Sequence, residues 1–179
     1  MRTGDRVRHL ARVPRALWDL AVHGTYESTF DLMPYRVAGL SHRARRNLVR
    51  AAFNVGYRRA RPWSLPIYMQ IELTSACDLR CPVCPAGNGE LARPAAMIDP
   101  DLVRRVLDET GDTLLVLALW GWGEPLLHPQ LREILALAAR HPAATLVSTN
   151  GQRLDRDDVL AALAEFPPAH LIVALDGLT

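Results

Sequence analysis

Cys77, Cys81 and Cys84 lie within eight residues of one another, and the 179-residue chain has no other cysteine. An odd, clustered set argues against a disulfide framework and for a metal or redox site. Thiolates are soft ligands that suit iron–sulfur clusters and zinc. A fully protein-ligated [4Fe–4S] cluster takes four thiolates, so three would leave one iron open to a small molecule. With His128 as a fourth ligand, the same sulfurs would make a Cys3His zinc site. Pro82 and Pro85 stiffen the loop that carries the three residues.

A second segment able to do chemistry is Trp120-Gly121-Trp122-Gly123-Glu124-Pro125. Glycines let a ligand approach the backbone closely. Glu124 adds a carboxylate that accepts hydrogen bonds from an ammonium group. Trp120 and Trp122 read as core packing. Two shorter polar segments, Thr149-Asn150-Gly151 and Leu175-Asp176-Gly177, share one property with these: each ends an apolar run.

Those runs are the elements that must position the chemistry. Residues 67, 69, 71 and 73 alternate as large apolar residues, which predicts a strand from Ile67 to Leu73. Leu114–Leu119, Thr145–Thr149 and His170–Leu175 read as strands buried on both faces. Helix signals lie between them. Asp99 caps a helix with Pro100 at its first position and Gly111 at its stop. Leu131, Ile134, Leu135 and Ala138 share one helical face, ended by Pro142. Asp155 is placed to cap a third helix carrying Val159, Leu163 and Phe166. Strands joined by helical crossovers imply a parallel sheet, and parallel sheets gather function at the C-terminal ends of their strands. The four segments would therefore converge on one rim.

With these residues in place, the chain resembles the radical S-adenosylmethionine (SAM) superfamily over about residues 67–179. Cys77-x-x-x-Cys81-x-x-Cys84 is similar to the signature of that superfamily, and Gly123-Glu124-Pro125 resembles its Gly-Gly-Glu-Pro motif. Thr149-Asn150-Gly151 and Leu175-Asp176-Gly177 look like strand ends of its SPASM-containing and molybdenum-cofactor-biosynthesis branches. The resemblance implies an α/β fold, a partial parallel (β/α) barrel of which about four strands are present. It implies a [4Fe–4S] cluster on Cys77, Cys81 and Cys84, with SAM chelating the open iron. Gly121, Trp122, Gly123, Glu124 and Pro125 would then contact the methionyl ammonium, and Asn150 and Asp176 would lie near the ribose or substrate. The implied activity is reductive cleavage of SAM to a 5′-deoxyadenosyl radical that abstracts hydrogen from a peptide or small-molecule substrate. A reductase or a flavodoxin- or ferredoxin-type donor would supply the electron. Three residues depart from the family pattern: Pro82 replaces an aromatic, Trp122 a glycine, and Ala174 a serine. The alternative is a zinc- or cluster-binding module without catalysis, whose basic N-terminal region grips nucleic acid or a membrane.

Charge divides the chain. Residues 1–66 hold 13 Arg and 4 acids, and residues 67–179 hold 8 Arg and 15 acids. The change of sign at Arg61–Pro66 marks an expected boundary between a basic, mainly helical extension (1–66) and the core domain (67–179). Within the extension, Leu48, Ala52 and Val55 are expected on one face of a helix from Leu40 to Ala60, packed on the main domain. No aromatic-rich RNA-binding pattern accompanies the arginines, which argues against nucleic acid as a partner. The longest apolar run, Leu114–Trp122, is about half the ~20 residues of a membrane helix. With no signal-peptide pattern, the expected location is the cytoplasm. A six-strand barrel needs two more strand–helix units, so the sequence reads as part of a longer enzyme whose fourth strand has an uncovered edge.

Overall fold

The computed structural model describes residues 18–30 and 33–175. A π-helical turn, Asp19–His23, leads into two antiparallel strands, β1 (Tyr26–Phe30) and β2 (Met33–Val37), and then into α1 (His42–Gly56). There follow β3 (Tyr68–Gln70), α2 (Pro85–Asn88), α3 (Pro100–Thr110), β4 (Val116–Leu119), α4 (Leu131–Ala138), β5 (Ala144–Thr149), α5 (Asp157–Glu165) and β6 (His170–Val173). Strands β3, β4, β5 and β6 form one parallel sheet in sequence order, as the alternation of strand and helix requires. Among the described residues, β6 has a strand neighbour on its β5 side alone.

Register decides what each face of the sheet carries. Gln70, Ala118, Leu146 and His170 form one row across all four strands, so they share a face. The opposite face presents Leu117, Leu119 and Val147, which pack with Val103, Leu107, Ile134, Leu135, Val159 and Leu163 of the crossover helices. Asp99 caps α3 as expected: its carboxylate accepts from the Asp101 amide at 2.9 Å. Asp155 does not cap α5, whose flanking residue Arg156 makes no side-chain cap, and the helix begins at Asp157. Its first turn still holds two acids, Asp157 and Asp158, which favour the positive end of a helix.

The N-terminal extension differs from the helical reading, because Tyr26–Phe30 and Met33–Val37 pair as antiparallel strands. Tyr26, Thr29, Tyr35 and Val37 are strand formers, a signal outweighed in the sequence by the surrounding arginines. The helix itself is present but turned. Its buried residues are Ala44, Asn47, Leu48, Ala51 and Asn54, while Ala52 and Val55 face outward. Leu20, Val37, Leu40, Ala44 and Leu48 pack against Leu115, Val116, Ala144 and Leu146. The extension therefore closes the face of the sheet opposite the crossover helices, at the N-terminal ends of the strands. His170 joins it there, its Nε2 donating to the Pro34 carbonyl at 2.7 Å. Residues 1–17, also expected to be helical, lie outside the described residues. Among the described residues, no helix is long and apolar enough to cross a membrane.

The two buried asparagines explain the turned helix. Asn47 exchanges two hydrogen bonds with the Leu65 backbone, at 2.8 and 3.1 Å. Asn54 donates to Ser64 Oγ at 2.8 Å and accepts from the Trp63 amide at 3.1 Å. Arg59 lies over the Trp63 ring, 3.5 Å from its centroid. Residues 61–66 are thus clamped along α1. Asn47→Ala should lower unfolding stability by about 1–3 kcal/mol, because it leaves the Leu65 backbone groups without partners. Arg46→Ala on the exposed side of α1 should stay within about 0.5 kcal/mol. Urea unfolding followed by circular dichroism separates the two.

Candidate metal and cofactor centre

The segment after β3 and the segment after β4 meet backbone to backbone. The Glu124 amide donates to the Ala76 carbonyl at 2.8 Å. A Cβ on Gly123 would fall 2.6 Å from that carbonyl oxygen and still closer to the carbonyl of Thr74, so glycine is required. Gly121 is required for a similar reason, since a Cβ there would overlap the side chain of Glu72. Glu72 is half-buried, accepts from the Trp122 amide at 3.2 Å and forms an ion pair with Arg93. Behind the turn, Thr74 and Ser75 are braced by hydrogen bonds to Pro94 and Ala96.

The cysteine loop lies against this turn. Cys84 Sγ is 3.8 Å from the Trp122 carbonyl. The Cys84 amide donates to the Cys81 carbonyl at 3.1 Å, and Cys84 in turn accepts from the amides of Gly87 and Asn88 in α2. Gly87 sits so tightly under the loop that a Cβ would be 2.6 Å from the Cys81 amide nitrogen. All three thiols are free and partly exposed. Burial pushes the Cys77 thiol pKa up, and the carboxylates of Asp78 and Glu124 add to the shift. A cationic metal beside the sulfur would reverse this, because it stabilises the thiolate.

Three thiolates in one loop are compatible with a cluster that keeps one iron open. Among the described residues, no three His, Cys, Asp or Glu side chains converge as ligands of one metal ion would. A cluster places its thiolates on different irons, so its ligands need not converge on one point. His128 is committed elsewhere: its Nε2 donates to the Ile98 carbonyl at 2.8 Å and its Nδ1 accepts from the Gln130 amide at 3.1 Å. Both ring nitrogens are therefore used, which removes the fourth ligand of the zinc reading.

Glu124 is 2% exposed and has internal partners. One oxygen accepts from the Leu126 amide at 3.0 Å and from Thr149 Oγ1 at 2.7 Å, and the other accepts from the Asn150 amide at 2.8 Å. The side chain expected to meet an ammonium thus ties the end of β4 to the end of β5. Of the roughly four acceptor positions on a carboxylate, three are taken. Pro125 is buried at the start of a 3-10 turn, Pro125–Leu127. Trp122 is half exposed at the mouth, against the expectation of core packing, whereas Trp120 packs partly against the N-terminal core. Asn150 faces the cysteine loop, and Asp176 lies outside the described residues.

Two participants were missed in the sequence: Asp78 and Arg153. Asp78 accepts from Asn150 Nδ2 at 2.8 Å and pairs with Arg153 at 2.9 Å. Burial acts to raise the Asp78 carboxyl pKa, but the hydrogen bonds from Asn150 and Arg153 outweigh it and hold the group below the usual range. No signal in the sequence pairs residues 78 and 153, because 75 positions separate them.

A family model described as "Radical SAM superfamily" matches residues 71–179. The chain is 34% identical over 113 residues to a tungsten-containing aldehyde ferredoxin oxidoreductase cofactor-modifying protein of Pyrococcus furiosus, covering 62% of this chain and 31% of the relative. It is 31% identical over 114 residues to mycofactocin maturase MftC of Mycobacterium ulcerans, covering 64% and 30%. It is also 31% identical over 118 residues to a PqqA peptide cyclase of Rhodopseudomonas palustris, covering 66% and 31%. The chain thus spans about a third of the length of these relatives. Its fold is similar to the crystal structure of BtrN in complex with AdoMet and 2-DOIA, with a TM-score of 0.53 and 22% identity over 65% of this chain and 48% of that one.

Two substitutions test the geometry. Gly123→Ala should cost about 1–3 kcal/mol or more, since backbone oxygens on the facing segment cannot move aside as a flexible side chain would. Glu124→Gln should cost about 1–3 kcal/mol, because an amide turns one acceptor into a donor facing a donor. Denaturant unfolding measures both, and no loss in either variant would contradict the contacts described above.

Proposed function

The chain belongs to the radical SAM superfamily, and from that premise we propose that Cys77, Cys81 and Cys84 hold a [4Fe–4S] cluster and that the turn at 121–125 receives SAM. The observation that carries this reading is the junction of the cysteine loop with the Gly-rich turn, through Glu124 N to Ala76 O and Cys84 Sγ to Trp122 O. In parallel α/β folds this rim, at the C-terminal ends of the strands, is where ligands bind. When bound, the cluster and SAM supply one-electron cleavage of a carbon–sulfur bond and hydrogen abstraction from substrate.

The residues of this chain do the positioning. Glu72 fixes the Gly121–Trp122 peptide from beneath. Glu124 fixes the ends of β4 and β5 with three hydrogen bonds. Gly121 and Gly123 keep the approach free of side chains, so a ligand can lie on the main chain. Asn150 stands beside Cys77, and Asp176, one strand further on, is the residue we assign to the ribose or substrate side. The 67–179 segment is the cluster-bearing part, with 1–66 as its brace.

A peptide is the substrate class to test first, because one relative is named a peptide cyclase. The electron donor we propose is a flavodoxin, a ferredoxin or a reductase, in the cytoplasm. Anaerobic reconstitution should yield about four irons and four sulfides per chain. Replacing any one of Cys77, Cys81 or Cys84 by Ala should abolish that uptake or reduce it severalfold. Dithionite-reduced protein should convert SAM to methionine and 5′-deoxyadenosine. One equivalent of zinc with no sulfide would instead overturn the reading.

A further inference from the structure

Asn150 is the residue whose contacts the proposed function leaves unexplained. Its side-chain oxygen accepts from the Gln152 amide at 2.9 Å. Its side-chain nitrogen lies 2.8 Å from Asp78 Oδ1 and 3.7 Å from Cys77 Sγ. These three contacts admit one amide orientation, since a flip would set oxygen against carboxylate and N–H against N–H. The two amide hydrogens then serve Asp78 and the Cys77 sulfur separately. Behind them, Arg153 Nε donates to Asp78 Oδ2 at 2.9 Å. A second donor, the Leu79 amide, reaches the same sulfur at 3.4 Å from within the loop.

We propose that Asp78, Asn150 and Arg153 form a positioning network that fixes Cys77 at the mouth, directs an amide N–H onto its sulfur and so sets the reduction potential of a cluster held there. This rests on the reading of the three cysteines as cluster ligands. The physical argument is electrostatic. Reduction adds negative charge to the cluster and its sulfurs, so an N–H dipole pointed at sulfur favours the reduced state. A carboxylate next to the same sulfur disfavours it, and an arginine paired with that carboxylate cancels most of its effect. Asn150 and Arg153 therefore act in one direction and Asp78 in the other.

The opposed signs make the test specific. Wild-type protein, Asn150→Ala, Arg153→Gln and Asp78→Asn are reconstituted anaerobically, iron and sulfide are counted, and midpoint potentials are read by redox titration followed by electron paramagnetic resonance. N150A and R153Q should lower the potential, and D78N should raise it. Each shift should correspond to about a threefold to tenfold change in the reduction equilibrium constant, or about 30–60 mV for a one-electron couple. The Leu79 contact is present in every variant and provides a constant background. Should N150A fail to take up iron, the opposed shifts of D78N and R153Q decide the matter. Variants that load fully and share the wild-type potential overturn the inference alone, as do shifts that all have one sign. Wild-type protein that takes up no iron and sulfide overturns the underlying reading first, and this inference with it.

Discussion

The Glu124 carboxylate sits at 2% exposure between the ends of two parallel strands and accepts hydrogen bonds from Leu126, Thr149 and Asn150. A buried carboxylate without such partners would cost several kcal/mol, so this position is stable only while both strand ends stay where they are. The dependence runs the other way as well. The Glu124 amide holds Ala76, which begins the cysteine loop, and its side chain holds Asn150, which faces that loop. Three segments from three strands are locked through one residue.

Around that knot the mouth is built from backbone more than from side chains. Gly121 and Gly123 are present because Glu72 and the carbonyls of Thr74 and Ala76 occupy the space a Cβ would take. Burial and two carboxylates push the Cys77 thiol pKa up, and a cation bound at the sulfur would pull it back.

The N-terminal extension supports this rim from the far end of the sheet. Leu20, Val37, Leu40 and Leu48 fill the strand ends opposite the mouth, and Asn47 and Asn54 clamp the segment that leads into β3. The first strand of the sheet is only three residues long, Tyr68–Gln70. A short edge strand that carries the cysteine loop needs such an anchor, because few ladder hydrogen bonds hold it.

The sequence by itself determined the parallel strand–helix alternation, the crossover helices and the strand-end place of the cysteine loop and the Gly-rich turn. These follow from local periodicity, helix start and stop signals and chain order, all of which are short-range properties. It also carried the glycines of the 121–125 turn, although not what they make room for. Tertiary structure alone decided that Glu124 points inward to Thr149 and Asn150, that the Ile98 carbonyl and the Gln130 amide are the partners of His128, and that Asp78 meets Arg153. It alone decided that α1 buries Asn47 and Asn54 while Ala52 and Val55 face outward. Each of these depends on a partner brought near by folding, at Leu65, Ile98, Asn150 or Arg153, and a polar side chain's direction is set by whichever partner removes the cost of burying it.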